Sequence, residues 1–392
     1  MAISQPSSNS APLSGLRIIE LAGIGPGPFA GMMLADHGAE VIRVERPDSA
    51  VTATKDVLNR SRRSIIVDLK HPEGVEIIVK LAASADGFIE GLRPGVVERL
   101  GLGPDPLLAR NPRLVYGRIT GWGQTGPLAQ TAGHDLSYIA LSGALHSMGR
   151  ADQPPPVPLN LVGDFGGGGM LLAFGMVSAM LAARINGRGQ IVDAAMTEGA
   201  ALLAAMFFNP GALAGLEAPR GANILGGAAP FYDTYETADG HFVALAAIEP
   251  QFYAELIRGL GLIDDPDCAR QMDVSAWPTA KAKIAARIRE RTRAQWCARF
   301  EGGDACFAPV LTRDEAPIHP HNVARQNFVE AFGVVQPAPA PRYSESRTSP
   351  PSLVQPGADT DTLLADIGYT QERIIELRQA GTIAGATERT IR

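Results

Sequence analysis

Two titratable residues stand side by side where the stretch TAGHDLSYIA, residues 131–140, turns from polar to apolar. The imidazole of His134 can take or give a proton near neutral pH. The carboxylate of Asp135 can accept hydrogen bonds from the free amides at a helix N-terminus. The pair therefore predicts proton transfer or a simple helix cap, and the two residues alone leave both open.

A second aspartate stands close to a run of four glycines. Asp164 precedes the glycines at 166–169, and an apolar segment from Met170 follows that is typical of a helix. Amides without a neighbouring Cβ at a helix N-terminus suit an anion or a developing oxyanion. Glycine also lets a helix approach its neighbour closely. The run therefore indicates either an oxyanion site or a tight packing contact.

Basic residues gather in a chain that is acidic as a whole, with 41 Asp and Glu against 35 Lys and Arg. Guanidinium groups bind phosphate oxygens through paired hydrogen bonds, so several that converge suit a ligand with more than one phosphate. A solvated surface cluster is the alternative. The residues concerned are Arg43, Arg46, Arg60, Arg62, Arg63, Lys70 and Arg93.

The composition is typical of a folded protein with two ordinary domains, since 45% of the 392 residues are hydrophobic. A net charge of −6 argues against a nucleic-acid partner. The cysteines Cys268, Cys297 and Cys306 lack the spacing of metal ligands or of a disulfide framework, which predicts reduced thiols, no bound metal and a cytoplasmic location.

Two segments bear on export and on membranes. Residues 1–11 lack the charged and apolar regions of a signal peptide and are predicted to be a disordered tail. The apolar run at 170–183 is shorter than a bilayer crossing and is followed by Arg184, so a buried helix is predicted there and no membrane partner.

Residues 16–47 predict a β-α-β unit, in which GIGPGP forms the turn after the first strand. This turn only partly matches the dinucleotide fingerprint, because its prolines remove amides that would face a pyrophosphate. Strands continue to alternate with helices up to about residue 119, which predicts a mostly parallel sheet covered on both faces. The large domain is therefore predicted to be α/β.

The pattern changes after about residue 210. Asp239-Gly240 between two strand-like runs predicts a hairpin, and helices are expected near 251–260 and 278–300. A proline-rich connector leads to a last helix that Thr370 can cap. We predict a large domain over 12–210, a smaller α+β domain over 225–325, and a connector with a return to the large domain over 330–392.

Long segments in both predicted domains carry a resemblance to a known family. They are 12–47, SRRSIIVDLK, GLRPG, GRITGWGQTGP, AGHDLSY, NLVGDFGGG, GRGQIVDAAM and AIEPQF. From residue 12 to about residue 381 the chain resembles the family III coenzyme A transferases, the CaiB/BaiF family, and within it the branch of the α-methylacyl-CoA racemases.

The resemblance implies a large Rossmann-like domain, a smaller domain, and a homodimer of two chains interlinked like rings. Each active site would lie where the large domain of one chain meets the small domain of the other. Coenzyme A would be part of an acyl-CoA substrate, so no separate cofactor is expected. Under this resemblance the residues near the substrate, chiefly its phosphates, are Arg43, Arg46, Arg62, Arg63, Lys70 and Arg93, and Tyr138 borders the pocket.

Matched residue by residue, the racemase pattern implies that His134 and Asp164 are bases on opposite sides of one carbon. Glu249 of the other chain would pair with His134, and Asp135 would be a polar support. Two bases suit the reaction, because the α-proton is removed from one face and returned on the other. The implied activity is epimerisation of 2-methylacyl-CoA thioesters through an enolate.

Two other functions compete with this hypothesis. One is a transferase that moves CoA between carboxylic acids with Asp135 as the nucleophile, and the other is a non-catalytic acyl-CoA binding protein. His134, Asp164 and Glu249 together favour the racemase, because a transferase needs no paired bases and a binding protein needs none of the three.

Overall fold

The computed structural model describes residues 10–47, 56–208 and 219–386, which fall into two compact units. The first unit takes the described residues of Met1–Ser142, Pro158–Leu203 and His321–Arg392, and the second takes those of Gly143–Val157 and Ala204–Pro320. The sequence predicted an unbroken large-domain segment over 12–210, whereas residues 143–157 belong to the second unit. Of the predicted tail, only residues 10 and 11 lie within the described part.

Strands and helices alternate along most of the described chain. The strands are β1 (Arg17–Leu21), β2 (Glu40–Glu45), β3 (Arg63–Val67), β4 (Gly87–Glu90), β5 (Val115–Thr120), β6 (Ile191–Ala195), β7 (Tyr232–Glu236), β8 (Phe242–Ala246), β9 (Phe307–Pro309), β10 (Phe328–Ala331), β11 (Val334–Pro337) and β12 (Ile383–Ala384). The helices are α1 (Pro26–Asp36), α2 (Pro72–Ala82), α3 (Val96–Arg99), α4 (Pro104–Arg110), α5 (Asp135–Leu141), α6 (Leu171–Asn186), α7 (Met196–Leu203), α8 (Pro250–Leu260), α9 (Trp277–Ile288), α10 (Arg293–Phe300), α11 (Pro320–Arg325), α12 (Thr360–Asp366) and α13 (Gln371–Gln379). A π-helical segment, Leu161–Met170, runs directly into α6.

The first unit is built on a sheet with the strand order β12-β3-β2-β1-β4-β5-β6. Neighbouring strands from β3 to β6 are parallel, and β12 is antiparallel to β3. The order 3-2-1-4-5-6 is that of the doubly wound Rossmann fold. The predicted α/β class with a mostly parallel, Rossmann-like sheet is therefore confirmed.

Both faces of this sheet are covered, which explains the nearly continuous apolar runs of its strands. Ile18 and Ile19 are neighbours on β1, yet they belong to two different core clusters, because successive strand residues point to opposite faces. Residues of α2, α4, α12 and α13 fill one cluster, and residues of α1 and α6 fill the other. The carboxyl edge of the sheet stays open between these layers.

The glycine run lies inside a helix rather than ahead of it. The sequence predicted a helix from Met170, whereas helical backbone begins at Leu161. A Cβ at Gly167 would lie 2.6 Å from the amide nitrogen of Ala200, and a Cβ at Gly199 would overlap the carbonyl of Gly167. Gly167 therefore serves close packing on α7, and Gly169 serves close packing on Pro26 and Phe29 of α1. This packing offsets the entropic cost of glycine in a helix.

The resulting helix, Leu161–Asn186, is 26 residues long and by length and composition could cross a membrane. The expectation that this region is too short for a bilayer is therefore wrong as to length, because the π-helical segment extends the apolar run. Of its most apolar window, 44% is buried inside the protein, and the core helices of soluble proteins reach the same length and hydropathy.

The second unit contains an antiparallel sheet of β7, β8 and β9 with helices α8 to α10. The predicted hairpin is confirmed: β7 pairs with β8, and Gly240 takes a φ of 72° in the turn. The helix expected near 278–300 is two helices, because Thr292 caps α10. Its side chain accepts a hydrogen bond from the Gln295 amide while the Gln295 side chain accepts one from the Thr292 amide.

Candidate active site

A cavity of about 690 Å³ lies at the carboxyl edge of the large sheet. Its lining follows the ends of β1, β4 and β5 and includes residues of α5 and of the π-helical segment. The chain order reverses between β1 and β4, where doubly wound sheets bind ligands beyond their strand ends. The polar and titratable side chains in this lining are Arg46, Arg93, Thr120, Trp122, Thr131, His134, Tyr138, Asn160 and Asp164.

His134 reaches this cavity as the N-cap residue of α5. Its backbone is extended, with φ −137° and ψ 173°, and its side chain makes no capping hydrogen bond. The residue is exposed. The helix start therefore leaves the imidazole available to a ligand.

Asp135 begins α5, but its carboxylate caps a different helical segment. Oδ2 accepts hydrogen bonds from the amides of Gly163 and Asp164, at 2.7 and 2.6 Å. The residue is 5% exposed and lies outside the cavity lining. A Cβ at Gly163 would lie 2.7 Å from the same oxygen, so glycine is required there. Asp135 thus serves as a structural cap.

Asp164 lies in the π-helical segment and lines the cavity. Burial raises the pKa of its carboxyl above the usual range, and the negative charge of Asp135 raises this pKa further. Gly25, with a φ of 69°, lies so near that its Cβ would be 3.4 Å from Oδ2 of Asp164. A carboxyl that keeps its proton at higher pH suits an acid that must return a proton to carbon.

Arg46 and Arg93 are the predicted phosphate-binding residues that line the cavity. Arg46 directly follows β2, and Arg93 lies three residues beyond the end of β4. Because parallel strands end at the same edge of a sheet, the two guanidinium groups belong to the same side of the first unit. The structure therefore brings both to the cavity that holds His134 and Asp164.

Arg43 and Arg62 serve the fold instead. Both guanidinium groups pair with Glu20, at 2.7 and 2.9 Å, and all three side chains are buried. Arg43 also donates to the carbonyl of Gly23, and Arg62 to that of Pro28. Their assignment as phosphate-binding residues is corrected accordingly, because these donors hold the turn between β1 and α1.

Arg63 and Lys70 lie outside the cavity lining. Arg63 pairs with Glu40 at 2.7 Å and with Asp359 at 3.2 Å, which ties it to β2 and to the segment before α12. The structure therefore does not bring Arg63 to the cavity. Lys70 is exposed, and its contact with a phosphate stays a prediction.

Glu249 belongs to the second unit, where it is the N-cap residue of α8. It is exposed, and its side chain makes no capping hydrogen bond. The pairing of Glu249 with His134 of another chain stays a prediction.

Sequence reasoning missed three residues that shape the cavity. Gly25, Trp122 and Asn160 all line it, and each lies within a segment that carried the family resemblance. Trp122 also lies two residues beyond the end of β5, and a position just past a parallel strand is a signal that could have identified it. Among the described residues, no group of three His, Cys, Asp or Glu side chains could hold a metal ion.

Comparison with known sequences agrees with this geometry. The sequence profile of CoA-transferase family III matches residues 13–362. The alpha-methylacyl-CoA racemase of Mus musculus is 45% identical over 93% of this chain and 96% of the relative, and that of Homo sapiens is 44% identical over the same shares. The succinyl-CoA:glutarate CoA-transferase of Mus musculus is 31% identical over 93% of this chain and 88% of the relative.

Solved structures give the same assignment. A CAIB/BAIF family protein from Brucella suis superposes with a TM-score of 0.78 at 26% identity, covering 92% of this chain and all of that chain. A protein from Mycobacterium tuberculosis superposes with a TM-score of 0.75 at 28% identity, covering 91% of this chain and all of that one. With a profile match over most of its length and full-length relatives well above 30% identity, this chain belongs to CoA-transferase family III.

Proposed function

We propose that this protein is an α-methylacyl-CoA racemase, an isomerase that epimerises 2-methylacyl-CoA thioesters at the α-carbon. The observation that carries the proposal is that His134 and Asp164 line one cavity, whereas Asp135 is buried and engaged by two backbone amides. A transferase would need that carboxylate as a free nucleophile. The similarity to the racemases of mouse and human supports the same choice.

The reaction needs one proton removed and one returned. One of the two bases takes the α-proton, the C–H electron pair forms the enolate double bond, and the thioester oxygen takes the negative charge. The other group, in its protonated form, then donates a proton to the opposite face of the carbon, and the carbonyl is restored. Each group ends in the other protonation state, and exchange with water resets the pair. No cofactor beyond the CoA of the substrate is required.

Arg46 and Arg93 supply the cationic groups for the CoA portion. A cavity of about 690 Å³ falls within the range of about 300–1,000 Å³ that is typical of small-molecule sites. Guanidinium groups bind phosphate oxygens through paired, charge-assisted hydrogen bonds, so these side chains suit the phosphates of CoA. With the CoA phosphates bound by Arg46 and Arg93, the acyl thioester would be left to approach His134 and Asp164.

We infer that the protein works as a homodimer, with the interlinked chains that the resemblance implies. Met170, Phe174, Val177, Leu181 and Ile185 follow one another at helical spacing and are between 37% and 80% exposed. They form an apolar stripe along one side of the long helix. Exposed apolar patches of this kind are typical of protein interfaces, and a second copy of this chain would cover it.

Light scattering on the purified protein tests the dimer. We expect the mass of two chains, and we expect Leu181→Glu to yield single chains with reduced activity, because a charge would be buried in the interface. Arg110→Glu, an exposed position on α4, is the control that should keep the dimer. A fully active single chain would contradict the dimer.

Isotope exchange tests the racemase function. The protein is incubated in deuterated water with one epimer of 2-methyldecanoyl-CoA and no acceptor acid, and α-deuterium and the epimer ratio are followed by NMR. We expect deuterium to enter while the epimers approach equal amounts, and His134→Ala to stop the interconversion. If neither happens, yet a free carboxylate becomes a CoA thioester in a reaction that Asp135→Ala abolishes, the protein is a transferase.

A further inference from the structure

Two aromatic side chains hold the loop that leads into His134. The phenol of Tyr138 donates a hydrogen bond to the carbonyl of Gly133, one residue before the histidine. The indole of Trp122 donates to the carbonyl of Thr131 at 3.1 Å. The two rings meet edge to face, with centroids 4.9 Å apart. We call Trp122 and Tyr138 the aromatic clamp.

The backbone packs closely against the aromatic clamp at two glycines, Gly121 and Gly133. A Cβ at Gly121 would overlap the Tyr138 ring, and a Cβ at Gly133 would lie 2.6 Å from the same ring and 3.0 Å from Trp122. Tyr138 itself is 7% exposed. The ring is therefore fixed between the end of β5 and the loop before α5, and its hydroxyl has a defined direction.

His134 depends on this loop for its orientation. Its side chain makes no capping hydrogen bond. The residue before it is glycine, which has more conformational freedom than any other residue. The Tyr138 hydrogen bond restricts that freedom at the position next to the imidazole. A base misplaced by about 1 Å can lose about a hundredfold in rate, so such a restraint matters for proton transfer.

We propose that Tyr138 is a positioning residue for His134, whose phenol holds the Gly133 carbonyl so that the imidazole faces the α-carbon of the substrate. This inference rests on the racemase function proposed above. The effect is one-sided, because the Tyr138 hydroxyl bonds to the backbone directly before His134, whereas Asp164 lies on the π-helical segment and its amide is held by the carboxylate of Asp135. Loss of the Tyr138 hydroxyl therefore impairs proton transfer on the face that His134 serves and spares the other face.

The test compares two Tyr→Phe variants. Tyr138→Phe keeps the ring and its contact with Trp122 but removes the donor. Tyr116→Phe is the matched control, because the Tyr116 phenol also donates to a backbone carbonyl, that of Leu102 at 2.8 Å, within the same unit and outside the cavity lining. Any difference between the variants therefore reflects the place of the lost hydrogen bond.

Loss of the α-proton is measured in deuterated water for each epimer of 2-methyldecanoyl-CoA separately. His134→Ala and Asp164→Ala first establish which epimer depends on which base. We expect Tyr138→Phe to slow proton loss by about tenfold or more from the epimer that His134→Ala silences, and by no more than about twofold from the other. Tyr116→Phe should leave both rates within about twofold of the unchanged enzyme.

Equal slowing of both epimers, or no slowing beyond that of Tyr116→Phe, would overturn the positioning role. If the unchanged enzyme exchanges neither epimer, the racemase function itself fails, so the two failures are distinguishable. Circular dichroism checks that each variant is folded. If Tyr138→Phe does not fold, Trp122→Phe replaces it, because this change removes the donor to Thr131 and should give the same one-sided effect.

Discussion

The carboxylate of Asp135 accepts a hydrogen bond of 2.6 Å from the backbone amide of Asp164, although the two residues are 29 positions apart in the chain. This contact places a negative charge beside a carboxyl that is already half-buried, and burial and charge both raise the pKa of Asp164. Asp135 therefore raises the pKa of a second acid, Asp164, and its own carboxylate is not free to attack a thioester.

Asp135→Asn should move the pH dependence of the reaction. The change removes the charge and keeps a side-chain oxygen that can accept the hydrogen bonds of both amides, because in Asp135 the two amides share the single oxygen Oδ2. We expect the pKa of Asp164 to fall, because ionisation is no longer opposed by a neighbouring anion. A pair of bases that must share one proton loses activity at low pH when both are protonated, so the acidic limb of the kcat/KM profile should move to lower pH.

Rates measured across the pH range for both proteins check this prediction. Asp105→Asn, which removes a charge from α4, is the control and should leave the profile in place. An acidic limb that stays put or moves upward in Asp135→Asn would contradict the role assigned to its charge.

Gly25→Ala should lower kcat as well as the free energy of unfolding. The residue takes φ 69° and ψ −117°, a conformation that costs an L-residue about 1–3 kcal/mol. Its new Cβ would also lie 3.4 Å from Oδ2 of Asp164 and would crowd the carboxylate at the cavity. Urea unfolding and kcat measure the two effects separately.

Gly15→Ala is the matched control for this prediction. Gly15 has a φ of 84°, and its Cβ would meet nothing within 4 Å. We expect a comparable loss of stability with an unchanged kcat. Equal rates in the two variants would show that crowding at Asp164 is unimportant.

Glu20→Gln should destabilise the protein strongly. Glu20 is fully buried between two guanidinium groups, so its neutralisation removes the nearest counterion of both, and Arg43 keeps only the longer pair with Glu45 at 3.8 Å. Removal of one partner from a buried ion pair typically costs about 3–5 kcal/mol. Glu376→Gln breaks an exposed pair with Arg373 and should cost less than about 1 kcal/mol. Urea unfolding compares the free energies of unfolding, and similar values for the two variants would be the contrary result.

Arg93→Ala should weaken binding of the CoA portion. Arg93 lines the cavity, and a charged hydrogen bond is typically worth about 1.5–3 kcal/mol, so we expect KM to rise about tenfold or more with little change in kcat. Arg63→Ala is the comparison, because that guanidinium is tied to Glu40 and Asp359 and should leave KM nearly unchanged. Initial rates over a range of acyl-CoA concentrations measure both, and the reverse order of effects would place the phosphates at Arg63.

The local pattern of the sequence was sufficient for most elements. The β-α-β unit at the start, the hairpin at Gly240 and the Thr370 cap all appear as predicted, since apolar periodicity, turn residues and caps act over a few neighbouring positions. His134 and Asp164 were also identified from short motifs, and both line the cavity. These features depend on interactions that are close along the chain.

The sequence by itself determined the α/β class, the family resemblance and the short motifs that supply the site. The tertiary structure decided which charged groups reach the cavity. In the sequence Arg62 resembles a phosphate ligand, but in the fold its guanidinium pairs with Glu20, 42 residues away. Asp135 likewise resembles a nucleophile, but its carboxylate accepts hydrogen bonds from two amides of the π-helical segment. A single buried partner can engage a charged side chain so that it is unavailable to a substrate, and only the folded chain determines which partner lies within hydrogen-bond distance.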